Sequence, residues 1–108
     1  MIKVEIIKEV DNIKQVTVDG HADFAEHGSD IVCAGVSAVV FGLINSVDVL
    51  DDDVQFDISA NEDETGHLTY RSLKSTEKEQ LLLNAMLIAL KTIEEKLFRI
   101  YKLLKQER

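Results

Sequence analysis

Apolar and polar residues alternate at the start of the chain: Ile2, Val4 and Ile6 are separated by Lys3 and Glu5. A period of two places the apolar set on one face of a half-buried strand. Asp11-Asn12 follows as a turn signal. Residues 14–18 read as a second strand, with Val16 and Val18 on one face. The two predict a hairpin. The pattern then changes. Residues 20–29 are polar, carry Gly20 and Gly28, and read as a loop of functional length. Residues 31–47 are apolar nearly all round and predict a helix buried on most faces. Asp30 is its expected N-cap, with Ser29 the alternative. Ala34, Gly35, Ser37, Ala38 and Gly42 suit close backbone approach.

Asp51-Asp52-Asp53 reads as an exposed loop. Val54, Phe56 and Ile58 alternate with Gln55 and Asp57 and predict a third strand. After an acid-rich turn at residues 61–66, residues 68–73 predict a fourth, paired with the third. Thr76-Glu77-Lys78-Glu79 is a capping box that opens the last helix. Leu82, Met86, Leu90, Ile93, Leu97, Tyr101 and Leu104 recur along it at helical spacing, and Lys102, Lys105 and Arg108 suit its negative end. Such a helix spans about 45 Å, more than the width of a domain this size. It therefore bends, breaks or packs its distal half on another chain, and a homodimer is expected. The order ββαββα predicts an α+β fold, one four-stranded sheet with two helices, in a single domain over residues 1–108.

Composition narrows the function classes. The hydrophobic content of 45% fits a globular chain. The formal charge of −8 argues against nucleic acid as a direct ligand. It suits a basic peptide or protein partner, and equally an acidic surface that keeps a protein soluble. The single cysteine cannot form an internal disulfide, so a reducing, cytoplasmic compartment is expected. The first residues alternate charge and apolar groups, unlike a signal peptide. No apolar run approaches the roughly 20 residues of a membrane span. No P-loop, dinucleotide fingerprint or serine-nucleophile elbow is present, and no cofactor is expected.

The candidate chemistry centres on Cys33. With Asp30 as cap, Cys33 is the third helical residue, close to N–H groups without intrahelical partners. The helix N-terminus favours a thiolate, and its free N–H groups suit an oxyanion. His21, twelve residues upstream, is placed to pass a proton to a leaving amine. Ser37, four residues after Cys33, falls on the same helix face. Asp30 either caps the helix or orients His21. On spacing alone a second reading stands beside this one: Cys33 is a small core residue and His21 a turn residue. His27 is an alternative base, and His67 is structural or solvent-facing. A zinc site of Cys33, His21, His27 and Asp23 lacks any Cys-x-x-Cys or His-x-x-x-His pair.

The block Gly20-His21-Ala22, then Gly28-x-Asp30-Ile31-Val32-Cys33-Ala34-Gly35-x-Ser37, closely resembles the ribosomal-processing cysteine protease family called Prp. The likeness extends to the element order and the long last helix. The resemblance implies a homodimeric α+β protease. It implies removal of a short N-terminal extension from ribosomal large-subunit protein twenty-seven. Cys33 then matches the family's nucleophile and His21 its general base. Asp30 and Ser37 match positions that support the site or the substrate, and Gly20 and Gly28 match loop positions that allow movement on docking. The competing class is a non-catalytic module that binds the ribosome or a ribosomal protein through its acidic face. An RNA-binding assembly factor would need a basic patch, and the lysines are scattered among acids.

Overall fold

The structure, a computed structural model, describes residues 2–19, 29–60 and 67–106, with backbone alone for 29–33 and 96–106. Its elements are β1 (Lys3–Glu9), β2 (Asn12–Asp19), α1 (Ser29–Leu50), β3 (Gln55–Ala60), β4 (His67–Lys74) and α2 (Glu77–Gln106). This is the expected ββαββα order. The strands form one antiparallel sheet in the order β1-β2-β4-β3. The two hairpins thus lie side by side, joined where β2 pairs with β4 through Val16↔Tyr70 and Val18↔Leu68.

Alternation decides which face is covered. Val16, Leu68 and Tyr70 point toward the helices, as do the half-buried Val4, Ile6 and Phe56. α1 adds Val36, Val40 and Ile44, and α2 adds Leu83 and Met86. Spacings of three and four place each helical set on one stripe. The buried stripe of α2 is phased by Leu83, whereas its neighbour Leu82, the expected first member, is half-buried. Gln15, Thr17, Asp19, Thr69 and Arg71 line the opposite, uncovered face of the sheet, which is polar. Phe56 stacks on Tyr70 with ring centroids 4.9 Å apart, tying the edge strand β3 to the core.

A polar network fixes the start of α2. Thr76 caps it, its Oγ1 accepting from the Glu79 N–H at 3.1 Å. The reciprocal half of the capping box is not made. Glu79 is instead fully buried, and its carboxylate accepts from Tyr70 Oη at 2.5 Å and Ser72 Oγ at 2.8 Å. Burial, followed by this bond to Glu79, pushes the Tyr70 phenol well above its ordinary pKa. The Gln80 side chain acts as a ladder partner for Ile13, donating to its carbonyl at 2.9 Å and accepting from its N–H at 2.7 Å.

Three expectations need correction. First, α1 begins at Ser29, so Asp30 is its second residue and Cys33 its fifth. It also runs on to Leu50, and the Asp51 N–H still bonds to the Val47 carbonyl at 3.0 Å. Second, Asp51 is buried, not part of an exposed loop: it accepts from Thr76 Oγ1 and from the Asp53 N–H at 3.1 Å. Third, α1 is not buried on most faces. Ala34, Ser37, Ala38, Phe41 and Gly42 are all exposed, and nothing lies within 4 Å of a Cβ built on Gly42. Gly35 alone of the small residues faces α2, where a Cβ would meet Ile93 Cδ1 at 3.7 Å, ordinary van der Waals contact. α2 is continuous over 30 residues, and the molecule measures 53 × 31 × 24 Å.

Two stability predictions follow from these local features. Val10, at the two-residue tip between β1 and β2, has φ 58° and is 92% exposed. A β-branched residue there costs about 1–2 kcal/mol that glycine avoids. Val10→Gly is expected to raise the urea unfolding free energy by roughly 1 kcal/mol, and a drop would show the turn to be unstrained. The Thr76 hydroxyl chiefly holds the Asp51 carboxyl below its ordinary pKa of 3.8, against partial burial, with help from the Asp53 and Val54 N–H groups. A depressed carboxyl stabilises the fold above that ordinary value and loses its contribution as pH falls through the folded one. Asp51→Asn is expected to flatten the fall in unfolding free energy below about pH 4. An unchanged acid slope in that variant would remove Asp51 from the account of acid unfolding.

Candidate active site

α1 supplies the candidate nucleophile. Cys33 lies in the second turn of the helix, and its own N–H falls inside the i→i−4 ladder. The unpartnered N–H groups belong to the turn before it, a shift of two residues from the expected position. The Cys33 and Asp30 side chains lie outside the described residues, as do Gly20, His21, His27 and Gly28. The proposed dyad therefore rests on the sequence block. So do the supporting roles given to Asp30 and the two glycines, and the membership of the zinc alternative.

Around that point the described geometry is definite. Ser37 is exposed on α1, one turn beyond Cys33. Ala34 and Ala38 are exposed beside it, so from 34 to 38 this side of the helix carries only small side chains, and the exposed Phe41 follows. The inner side is anchored by Val36 and Val40 in the core and by the contact of Gly35 with Ile93. α1 is thus held on its inner side while its outer side is exposed.

β2 ends at Asp19, two residues before His21 in the sequence. Sequence reasoning left His67 without a partner, but register pairs it with Asp19 across β2 and β4. Its Nδ1 contacts Asp19 Oδ1, and its Nε2 lies 3.4 Å from Thr69 Oγ1. With the neutral ring, Nδ1–H donates to Asp19 and Nε2 accepts from the Thr69 hydroxyl. The pair holds the strand end from which residues 20–21 depart. The signal that finds it is the pairing of two strands, which is not local in sequence.

Comparison with known proteins bears directly on this arrangement. The chain matches the family described as Cysteine protease Prp over residues 1–101. It is 43% identical to the ribosomal processing cysteine protease Prp of Staphylococcus aureus (strain Mu50 / ATCC 700699) over 100 residues, which is 88% of this chain and 90% of that protein. Identity to the Bacillus subtilis (strain 168) protein of the same name is also 43%, over 87% of this chain and 88% of that one. Among solved structures, Prp from S. aureus in complex with a substrate peptide superposes with a TM-score of 0.79. It is 41% identical and covers 88% of this chain and 90% of its own. The same enzyme with a covalently linked product peptide gives a TM-score of 0.76, at 41% identity over 89% and 91% of the two chains.

A single thiol early in a helix, mounted on a four-stranded α+β frame that matches such enzymes along its length, defines a small cysteine protease. The chain belongs to the Prp family of these proteases.

Proposed function

We propose that this chain is a cytoplasmic cysteine endopeptidase that removes the N-terminal extension of ribosomal large-subunit protein twenty-seven. The observation that carries the reading is the family match over residues 1–101, which includes the only cysteine of the chain, Cys33. The covalently linked product peptide in the S. aureus relative supports nucleophilic catalysis of this kind. Among the described residues no helix is long and apolar enough to cross a membrane.

In this reading Cys33 and His21 form the dyad. The Cys33 thiolate attacks the scissile carbonyl carbon, and the carbonyl π pair moves onto oxygen. N–H groups at the head of α1 donate to that oxyanion. His21 holds the thiol proton and gives it to the departing amine as the C–N bond breaks. Water, deprotonated by His21, then attacks the thioester, releasing the acid and restoring the thiol. Asp30 and Ser37 support the site, and Gly20 and Gly28 give the intervening loop the backbone freedom to settle on a substrate. No cofactor takes part.

The active species is a homodimer. α1 exposes Ala34, Ala38 and Phe41, which is 53% exposed, and α2 exposes Leu81 and Ile88. This outer side of the helix layer is unusually apolar for a chain of charge −8. Light scattering behind size exclusion is expected to give twice 12.1 kDa at micromolar concentration, and Phe41→Glu is expected to halve it. A wild-type mass of 12.1 kDa would rule the dimer out.

The activity is tested by mixing purified protein with ribosomal protein twenty-seven carrying its extension and following the products by mass spectrometry. One cut near the N-terminus is expected. Cys33→Ala is expected to slow it by at least roughly 10⁴-fold while the circular dichroism stays that of the wild type. Iodoacetamide is expected to label Cys33 in the folded protein near neutral pH. A stable complex with no cut would favour the non-catalytic binding module, and cutting by Cys33→Ala would remove the dyad.

A further inference from the structure

The two edges of the sheet are unlike. β1 carries Lys3, Glu5, Lys8 and Glu9, and its pairing shifts between Ile7 and Lys8. Charges and a bulge are the devices by which an edge strand keeps foreign strands away. β3 reads Gln55-Phe56-Asp57-Ile58-Ser59-Ala60, with one charge, no lysine and no proline. Its irregularity falls between Gln55 and Phe56, and from Phe56 to Ala60 it pairs with β4 in unbroken register. Among the described residues nothing pairs with its outer edge. Alternate residues there present N–H and C=O groups outward.

The position of this edge is informative. α1 ends at Leu50 and β3 starts at Gln55, and the register sets Ala60 level with Val18, near the end of β2 that precedes α1 in the chain. Cys33 lies about 25 Å from Leu50 along the helix axis. Ala60 lies about 17 Å along the strand from Gln55. The open edge therefore rises toward the level of Cys33. Charge adds a preference. Residues 51–64 hold seven acids and no lysine or arginine, so the strand sits within an acidic stretch. The two sides of the edge also differ. Ile58, 46% exposed, belongs to the helix-facing side, and Asp57, whose carboxylate accepts from Arg71 Nη2 at 3.4 Å, to the polar side.

We propose that β3 docks the substrate as an added strand: an extended basic peptide pairs along the free edge of Gln55–Ala60, which leads its scissile bond to Cys33. Main-chain bonds provide the affinity in this mode, and alternate side chains provide the selectivity. Peptide residues beside Ile58 are apolar, and a basic one beside Asp57 shares its exposed carboxylate with Arg71. The proposal rests on Cys33 being the nucleophile of the reading above.

The test uses a synthetic peptide that crosses the extension junction of ribosomal protein twenty-seven. Wild-type enzyme is first assayed for cutting it. The Cys33→Ala variant is then saturated with the intact peptide, and backbone amide exchange is followed by nuclear magnetic resonance. Exchange is expected to slow at least tenfold at alternate residues of Gln55–Ala60 and to stay unchanged across Lys3–Glu9. Peptides with a single N-methyl group are expected to raise KM at least tenfold at every second position. Asp57→Lys is expected to raise KM at least threefold with little change in kcat. Cleavage without protection of β3, protection on β1, or protection of β3 before peptide is added would overturn the edge and leave the protease reading standing. No cleavage by the wild type would overturn the substrate reading and the docking edge with it.

Discussion

One buried carboxylate sets the geometry of this molecule. Glu79 is fully enclosed, three residues into α2, and accepts from both Tyr70 and Ser72 of β4. Removing a carboxylate from water costs several kcal/mol unless the site supplies partners. Here two hydroxyls and the positive end of α2 supply them. Apolar packing has no direction of its own and would leave α2 free to slide or rotate over the sheet. The Glu79 bonds fix its height on β4. Gln80 fixes the same turn to Ile13 on β2, and Thr76 ties it to Asp51 at the end of α1. A single helical turn is therefore bonded to both halves of the sheet and to the other helix.

From that anchor the rest of the packing follows. Once the first turn of α2 is oriented, Leu83, Met86 and Leu90 must fall over the sheet. Ile93 then reaches Gly35 on α1. The polar clamps sit at the end of the fold where α1 terminates and α2 begins. Cys33 lies toward the opposite end of α1, and among the described residues the stretch that follows it is held by apolar packing, through Val36, Val40 and the approach of Ile93 to Gly35. The directional bonds and the candidate thiol thus lie toward opposite ends of α1.

The strands and helices were legible because their apolar residues repeat at two and at three to four, and because turn and cap residues punctuate them. Periodicity could not show what each helix face meets. The small and apolar residues of α1 read as burial on most sides, yet Ala34, Ala38 and Phe41 lie open, since one sheet and one neighbour cover only part of a helix. Glu79 reads as half of a local capping box, but two hydroxyls on β4, seven and nine residues earlier, take its carboxylate. Asp51 reads with Asp52 and Asp53 as exposed, but a hydroxyl 25 residues away draws it in. Both carboxylates are claimed by partners on another element, which local sequence does not reveal. The candidate site rests on another kind of signal. The spacing of His21 and Cys33 leaves catalysis and core packing both open, and the resemblance of the whole block from Gly20 to Ser37 to the Prp family is what favours catalysis.

The open face of α1 gives its small residues a different meaning from the one composition suggests. Small side chains in a helix usually admit a second helix, but Gly35 alone serves that purpose here. Ala34, Ser37 and Ala38 face outward at the level just beyond Cys33. By helical phase position 33 falls with Val36 and Val40, three and seven residues on, nearer the inner stripe than the outer one. The outward stripe of Ala34, Ala38 and Phe41 is the side that the proposed dimer covers. On the proposed reading, the same helix therefore does two jobs set by its two sides. Its branched inner residues set the height and angle of the helix that carries the nucleophile, and its outer residues meet the second protomer.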